Sequence, residues 1–400
     1  MRLLVSCIPY DGGKSGISTY VREVVRSLAE QGHELTLLCE PGEGGIPGRE
    51  TLDTRRENAS RLSSGVSCQK SRRLVFAPRW TRRAVFSMLW HLFVLPFKLR
   101  RWRRDFDGFV ICAANRRVCA WYPIATTATV HDLANFHIPG KYSRLRMFYL
   151  AHVLPFFAKR AQHLVAVSEA TKTDMVKYWY CRPEDVTVLY NGLSWRETRD
   201  ERREGASRLA SNVSRPSSLL YISRIEHPGK NHVRLIDAYG RLPREVAEAH
   251  PLVIAGADWK DAEIVHEAAR KSPHADLIRF TGFVDAADMP RLWSEAGFYV
   301  FPSLFEGFGL SLVEAMDRGI PCACSNNGSL GEIAGDVAMT FDPYDVGSIA
   351  EALSRLLSES GEARAARIAR GHEWIKRFSW SDHAKGLVAL LGSARTTQQR

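Results

Sequence analysis

Short strand-like stretches, most of them rich in apolar residues, recur along this chain. In the first half they occupy residues 3–8, 33–39, 109–113, 125–130, 164–167 and 186–190. In the second half they occupy residues 219–223, 252–255, 277–281, 298–301, 320–324 and 338–341. Runs this short and this continuous fit strands buried on both faces, as in a parallel sheet, rather than half-exposed strands that alternate. Between them the apolar positions switch to helical spacing. Val21, Val24, Val25 and Leu28 lead to Gly32, and Leu312, Val313 and Met316 lead to Gly319 and Pro321 as stop signals. Residues 141–160 also read as helical. Strand and helix in strict alternation predict doubly wound parallel α/β sheets.

Residues 194–218 interrupt this rhythm with a polar, highly charged stretch that contains no strand. The expected organisation is therefore an N-terminal Rossmann-like domain over 1–200, a second over 217–378, and a helical tail over 379–400. Residues 41–69 are rich in Gly, Ser, Arg and Glu without apolar period, which predicts a surface loop. The first run reads as a strand rather than a signal peptide, because Pro9 and Asp11 end it. No stretch is long enough to span a bilayer.

Composition adds one asymmetry. The chain is ordinary in being 45% hydrophobic and 25% charged, yet it carries a formal charge of +11. Residues 70–104 hold eleven Lys and Arg and no acidic residue. Aromatic and aliphatic residues at 84–97, flanked by those cations, fit a helix lying on an anionic membrane surface. They fit equally a core helix with a charged outer face. Nucleic acid is the third partner that such charge would suit, but no nucleic-acid motif accompanies it, and none is expected as a partner. The eight cysteines lack zinc-site spacing and several sit in strand-like runs, which predicts reduced, buried thiols in a cytoplasmic protein.

The densest chemistry lies at residues 298–332, FYVFPSLFEGFGLSLVEAMDRGIPCACSNNGSLGE. A strand, a glycine loop and a helix beginning near Leu310 place main-chain N–H groups and a positive helix end at a strand's carboxyl end. Glu306 and Glu314 flank that point, and carboxylates there suit paired hydroxyls of a ribose or a hexose. The plain alternative is a core helix with two surface glutamates. Upstream, Arg224 and Lys230 border the loop IEHPGKNH after another strand; two cations beside a glycine loop suit a pyrophosphate, or else are solvated surface charges. The opening loop, PYDGGKSGISTY, has nucleotide-binding geometry but no GxGxxG, and it can equally be a simple tight turn. His131 and Asp132 follow a strand directly, where chemistry usually occurs, although a lone His is more often structural. Asp105, Phe106 and Asp107 form a DxD that merely precedes a strand.

These residues resemble glycosyltransferase family 4, a large retaining family. The phrase PS-x-x-EGFG-x-x-x-x-EAM-x-x-G-x-P contains its E-x7-E motif as Glu306 and Glu314. Gly12 to Tyr20 looks like its GG-x-x-x-Y loop with an insertion, and VSEATK and YNG look like further family segments. Arg224 and Lys230 match an Arg or Lys and a Lys-Asn. The resemblance implies a GT-B fold: two Rossmann-like domains facing a central cleft, closing over the donor, with the last helix crossing back to the first domain.

It also implies transfer of a hexose-type sugar from a nucleotide diphosphate sugar (UDP- or GDP-linked) to a hydroxyl acceptor, with retention. By resemblance, His131 faces the donor sugar. The expected catalytic set is Glu306, His131, Arg224 and Lys230. The expected donor-binding set is Gly16, Arg224, Lys230, Glu306, Gly307, Phe308, Gly309, Leu310 and Glu314. No metal and no cofactor beyond the sugar nucleotide is expected. A glycan or lipid-linked acceptor, as in envelope polysaccharide synthesis, fits a cytoplasmic protein peripheral on the inner face of the membrane. The rival readings are a GT-B-like epimerase or phosphorylase, and a non-enzymatic basic protein that binds membrane or nucleic acid.

Overall fold

Thirteen strands of the expected kind organise the described residues into two parallel sheets. The structure is a computed structural model that describes residues 1–8, 10, 15–39, 73–138, 142–193 and 218–398. Gly12 and Gly13, the loop expected at 41–69, and nearly all of the polar stretch at 194–218 lie outside the described residues.

The first sheet contains β1 (Arg2–Ser6), β2 (Glu34–Cys39), β3 (Arg73–Phe76), β4 (Gly108–Ile111), β5 (Thr126–Val130), β6 (His163–Ala166) and β7 (Val186–Val188). Their spatial order is β3-β2-β1-β4-β5-β6-β7, all parallel, with Leu3 opposite Leu35 on one side and opposite Gly108 on the other. Winding reverses between β1 and β4, which opens a crevice beyond the carboxyl ends of those strands. Strand β3 is the one that the apolar pattern does not announce: its four residues, RLVF, are embedded in the basic run, which masks them. Asp107 of the DxD is a structural brace, accepting from the Arg2 main-chain N–H at 2.8 Å at the entrance to β1.

The second sheet contains β8 (Ser218–Ile222), β9 (Leu252–Ala255), β10 (Ile278–Gly282), β11 (Ala296–Phe301), β12 (Cys322–Ser325) and β13 (Met339–Phe341). The order is β10-β9-β8-β11-β12-β13, again all parallel, and the winding reverses between β8 and β11. Leu219, Leu220 and Tyr221 of β8, and Phe298 to Val300 of β11, are fully buried, as unbroken apolar runs require.

The chain folds as two compact units. The first holds Met1–Leu133, Tyr142–Ser194 and Phe378–Arg400; the second holds Ala134–Lys141 and Trp195–Arg377. The terminal helix Trp380–Gln398 packs within the first unit on the helix Gly16–Glu30. Residues 134–138, which follow β5 in sequence, pack in the second unit, where His137 stacks flat on Phe305 with centroids 3.9 Å apart. Cys7, Cys39, Cys112, Cys119, Cys181, Cys322 and Cys324 are buried thiols outside any disulfide among the described residues.

Candidate active site

In the second unit the loops after β8 and β11 flank the point where the winding reverses. Lys230 comes from the first loop and Glu306 from the second, and their side chains meet at 2.6 Å. Both are about one-fifth exposed, so the pair is neither fully solvated nor sealed.

What aims them is a set of hydrogen bonds between the loops. The Tyr221 hydroxyl, at the end of β8, donates to the Lys230 carbonyl at 2.8 Å and lies 3.2 Å from Ser303 Oγ. Leu304 N–H donates to the Gly229 carbonyl at 3.0 Å. Asn231 is buried in the left-handed region at φ 61°, a conformation that Asn tolerates better than most residues. Its amide donates to Pro302 O at 2.9 Å and Pro343 O at 2.7 Å, joining the loops after β8, β11 and β13.

Arg224 lies at the mouth of the same loop. Its guanidinium pairs with Glu226 at 3.5 Å and sits 5.1 Å from the centre of the Trp259 ring. Gly256 lets β9's exit run against this turn: a Cβ there would lie 1.8 Å from Ser223 O. Beyond Glu306, Gly309 holds φ 97° and a Cβ on it would meet Leu330 Cδ2 at 2.6 Å, so only glycine fits before the helix Leu310–Asp317. Its N-cap residue Gly309 has no side chain to cap the helix, whose first turn begins at a strand's carboxyl end. Phe308 is buried, so only its main chain can serve a ligand. Glu314 is half-buried on the face of Leu310, one turn on.

In the first unit Gly16 is the exposed first residue of its helix, capped by Ser15, whose side chain accepts from Ser18 N–H at 3.3 Å. His131 is nearly buried, its Nε2 2.6 Å from the Cys112 carbonyl. A carbonyl can only accept, so Nε2 carries the proton. Burial holds this imidazole below its ordinary pKa, and the Cys112 bond and Asp132 only partly offset that, so the ring is neutral with Nδ1 unprotonated near pH 7.

Tyr20 packs edge-on against His131 at 4.6 Å and is itself fully buried. Its hydroxyl lies 2.9 Å from Thr129 Oγ1 and 2.8 Å from His383 Nε2. His383 Nδ1 is 3.0 Å from the Tyr190 carbonyl, and burial pushes its pKa down to about 4. The directions of the chain follow: Nδ1–H donates to Tyr190 O, so neutral Nε2 accepts from the Tyr20 hydroxyl, which in turn accepts from Thr129.

The expected residues thus fall into two groups. Arg224, Lys230, Glu306, Gly307, Phe308, Gly309, Leu310 and Glu314 belong to one wall of the second unit; His131 and Gly16 belong to the first. The family-like segments around them are structural. Ser168 of VSEATK caps its helix, accepting from Thr171 N–H at 3.1 Å, while Thr171 Oγ1 donates to the His131 carbonyl at 3.2 Å. Gly192 of YNG is where the terminal helix begins to cross: a Cβ would lie 2.1 Å from Trp380 N. Sequence reasoning missed Asn231, Tyr221, Glu226 and His383. The roles of Tyr221, Asn231 and His383 depend on partners 9 to 363 residues away, which no local pattern records.

Solved structures share this architecture. Sucrose-phosphate synthase from Thermosynechococcus elongatus superposes with a TM-score of 0.71 at 16% identity, covering 99% of this chain and 100% of that one. The Anabaena protein HepE, solved with UDP and glucose, gives 0.67 at 17% identity, covering 98% and 100%. Likeness at that identity establishes the fold alone, and the fold is GT-B. Sequence carries the rest. A model described as "Glycosyltransferase Family 4" matches residues 14–194, and one described as "Glycosyl transferases group 1" matches 208–374. The O-antigen chain mannosyltransferase B of Escherichia coli is 26% identical over 396 residues, 96% of this chain and 97% of that one. This chain is a glycosyltransferase, and it belongs to the family 4 type.

Proposed function

We propose that the protein moves a hexose-type sugar from a UDP- or GDP-linked donor to a hydroxyl of a lipid-linked or envelope polysaccharide acceptor, with retention at the anomeric carbon. The observation that carries this reading is the Lys230–Glu306 pair, held between two loops at the reversal of the second sheet, beside the helix that starts at Leu310. An ammonium has three donors and the bond to Glu306 uses one, so Lys230 can also meet a phosphate oxygen. Arg224 and the N–H groups before and at Leu310 meet the rest of the diphosphate charge as it develops, so the departure needs no metal. Glu306 orients sugar hydroxyls and Glu314 holds the ribose.

In the transfer the bond from C1 to the diphosphate oxygen breaks and a bond from C1 to the acceptor oxygen forms. The acceptor's proton goes to the departing diphosphate, on the same face. His131 serves the donor sugar. Support for a hexose and for an envelope acceptor comes from the E. coli relative, whose name describes a mannosyltransferase of the O-antigen chain. An acceptor of that kind sets the protein at the cytoplasmic face of a membrane as a peripheral protein. No helix among the described residues is long and apolar enough to cross one.

Calorimetric titration with UDP, GDP and ADP tests the donor site. One of UDP and GDP binds in preference, and Lys230→Ala and Glu314→Ala each weaken it about tenfold or more, the loss of a charge-assisted hydrogen bond. Absence of binding to every nucleotide, or affinities unchanged in both variants, overturns the site. Proton NMR of the product made from an α-linked donor tests retention: an α linkage is expected, and a β linkage contradicts it.

A further inference from the structure

The first unit carries two helical runs of the same unusual build. Residues 84–102 fold as Ala84–Leu89, a π-helical turn Trp90–Val94 and a helix Leu95–Trp102. Residues 144–158 fold as Arg144–Phe148, a π-helical turn Tyr149–Val153 and a helix Leu154–Ala158. Both contain the tetrapeptide Val-Leu-Pro-Phe, at 94–97 and at 153–156. Proline has no N–H to give the helix, so the ladder widens before it: Leu95 N–H reaches Trp90 O and Leu154 N–H reaches Tyr149 O. The Leu92 carbonyl, whose helical donor Pro96 cannot supply, accepts from Ala120 N–H at 2.9 Å.

In both runs the widened turn buries the Leu and Pro and turns the Phe outward. Leu95, Pro96, Leu154 and Pro155 are buried, while Phe97 is 60% and Phe156 54% exposed. The run that holds Phe97 also exposes Val85, Phe86, Leu89 and Phe93; the run that holds Phe156 also exposes Phe148 and Leu145. The loop between β4 and β5 ties the runs into one surface. Trp121 packs edge-on to Phe97 at 4.7 Å, Arg160 donates to the Ala120 carbonyl at 3.3 Å, and its guanidinium lies 4.1 Å from the Phe156 ring centre. Exposed cations border it: Lys98, Arg100 and Arg101 on one run, Arg144, Arg146 and Lys159 on the other. Residues 142–160, like 70–104, contain no Asp or Glu.

We propose that these two runs form one docking surface for a bilayer carrying anionic headgroups. Outward Phe side chains enter the headgroup boundary while Lys and Arg, with their apolar stems lying flat, reach the lipid phosphates. The absence of acidic residues over both runs is the charge complementarity that selects an anionic surface. The sequence pointed at residues 70–104 alone; the tertiary structure adds the second run. The inference deepens the peripheral placement proposed above, but its test does not involve the donor site, so loss of vesicle binding and loss of nucleotide binding are separate results.

The test is co-sedimentation of the full chain with phosphatidylcholine vesicles, with and without about 30% phosphatidylglycerol, in about 50 and about 300 mM salt. Binding should require the anionic lipid and weaken with salt. Phe97→Ser and Phe156→Ser should each lower partitioning about tenfold, and Arg100→Gln with Arg101→Gln about fivefold per charge, with unchanged thermal unfolding and nucleotide affinity. Failure to bind anionic vesicles overturns the proposal, as it would if a second copy of the chain covers the surface instead. So does binding indifferent to lipid charge. An effect of Phe97→Ser without one of Phe156→Ser overturns the joint surface.

Discussion

Among single residues, Asn231 best shows how this site is set. Lys230 is the cation proposed to meet the diphosphate, and its neighbour Asn231 ties its loop to two carbonyls on two other loops. Replacing Asn231 with Ala leaves both buried carbonyls short of a donor and puts a Cβ residue without a compensating side chain at φ 61°. Asn231→Ala should therefore cost about 2–4 kcal/mol in denaturant unfolding and weaken nucleotide binding, because the Lys230 and Glu306 loops lose their tie. A change below about 0.5 kcal/mol would mean that the loops are held by something else. In the sequence, Lys230 is legible as a cation beside a glycine loop. Asn231 is only the next letter, since its partners are 71 and 112 residues away.

Among the elements, the terminal helix Trp380–Gln398 matters most to the first unit, which is incomplete without it. Trp380, His383, Ala384, Leu387 and Leu391 are all buried. Leu391 fills the space that the absent side chain of Gly108 leaves at the start of β4, where a Cβ would come within 2.7 Å. Leu391→Ala should destabilise the first unit by about 2–5 kcal/mol, read as a lower denaturation midpoint, while nucleotide binding in the second unit persists. Loss of less than about 1 kcal/mol would show that this helix is only loosely attached. The pattern at residues 379–391 predicts the helix, but its address comes from the family resemblance. Residues 141–160 read as helical in the sequence despite Pro155, and in the fold both Pro96 and Pro155 sit inside continuous helical runs, because a π turn precedes each and, at Pro96, an outside donor takes the freed carbonyl.

Across the whole molecule, buried imidazoles set the response to acid. Burial pushes the pKa of His91 and His383 down to about 4 and that of His232 to about 3, and it lowers that of His131 as well. In the unfolded chain each titrates near 6.5. Between those values the unfolded state binds more protons than the folded one, so stability is complete above about pH 6.5 and falls as the pH drops toward the folded values. The denaturation midpoint should decrease from about pH 7.5 to about pH 5, and His383→Gln should flatten part of that slope. A midpoint that is constant or rises over this interval would contradict the assignment of neutral buried rings. The buried thiols respond at the other end of the scale, with Cys112 and Cys324 pushed up to about 12 by burial, which leaves them protonated and unreactive at neutral pH.

Two doubly wound sheets, the strand that delivers each candidate group, and the chemistry of the Glu306 to Glu314 segment can all be read along the chain. Those features are local: an unbroken apolar run is a buried strand wherever it lies, and a glycine at φ 97° before a helix declares itself by its neighbours. Other features exist only in three dimensions. Lys230 meets Glu306 across 76 residues, His383 completes a hydrogen-bonded chain with Tyr20 across 363, and two separated Val-Leu-Pro-Phe segments share one surface. Such pairings arise from the order in which parallel strands assemble. A parallel sheet brings together the carboxyl ends of strands far apart in the chain, and which ends become neighbours is set by packing between elements, not by the pattern within any one of them.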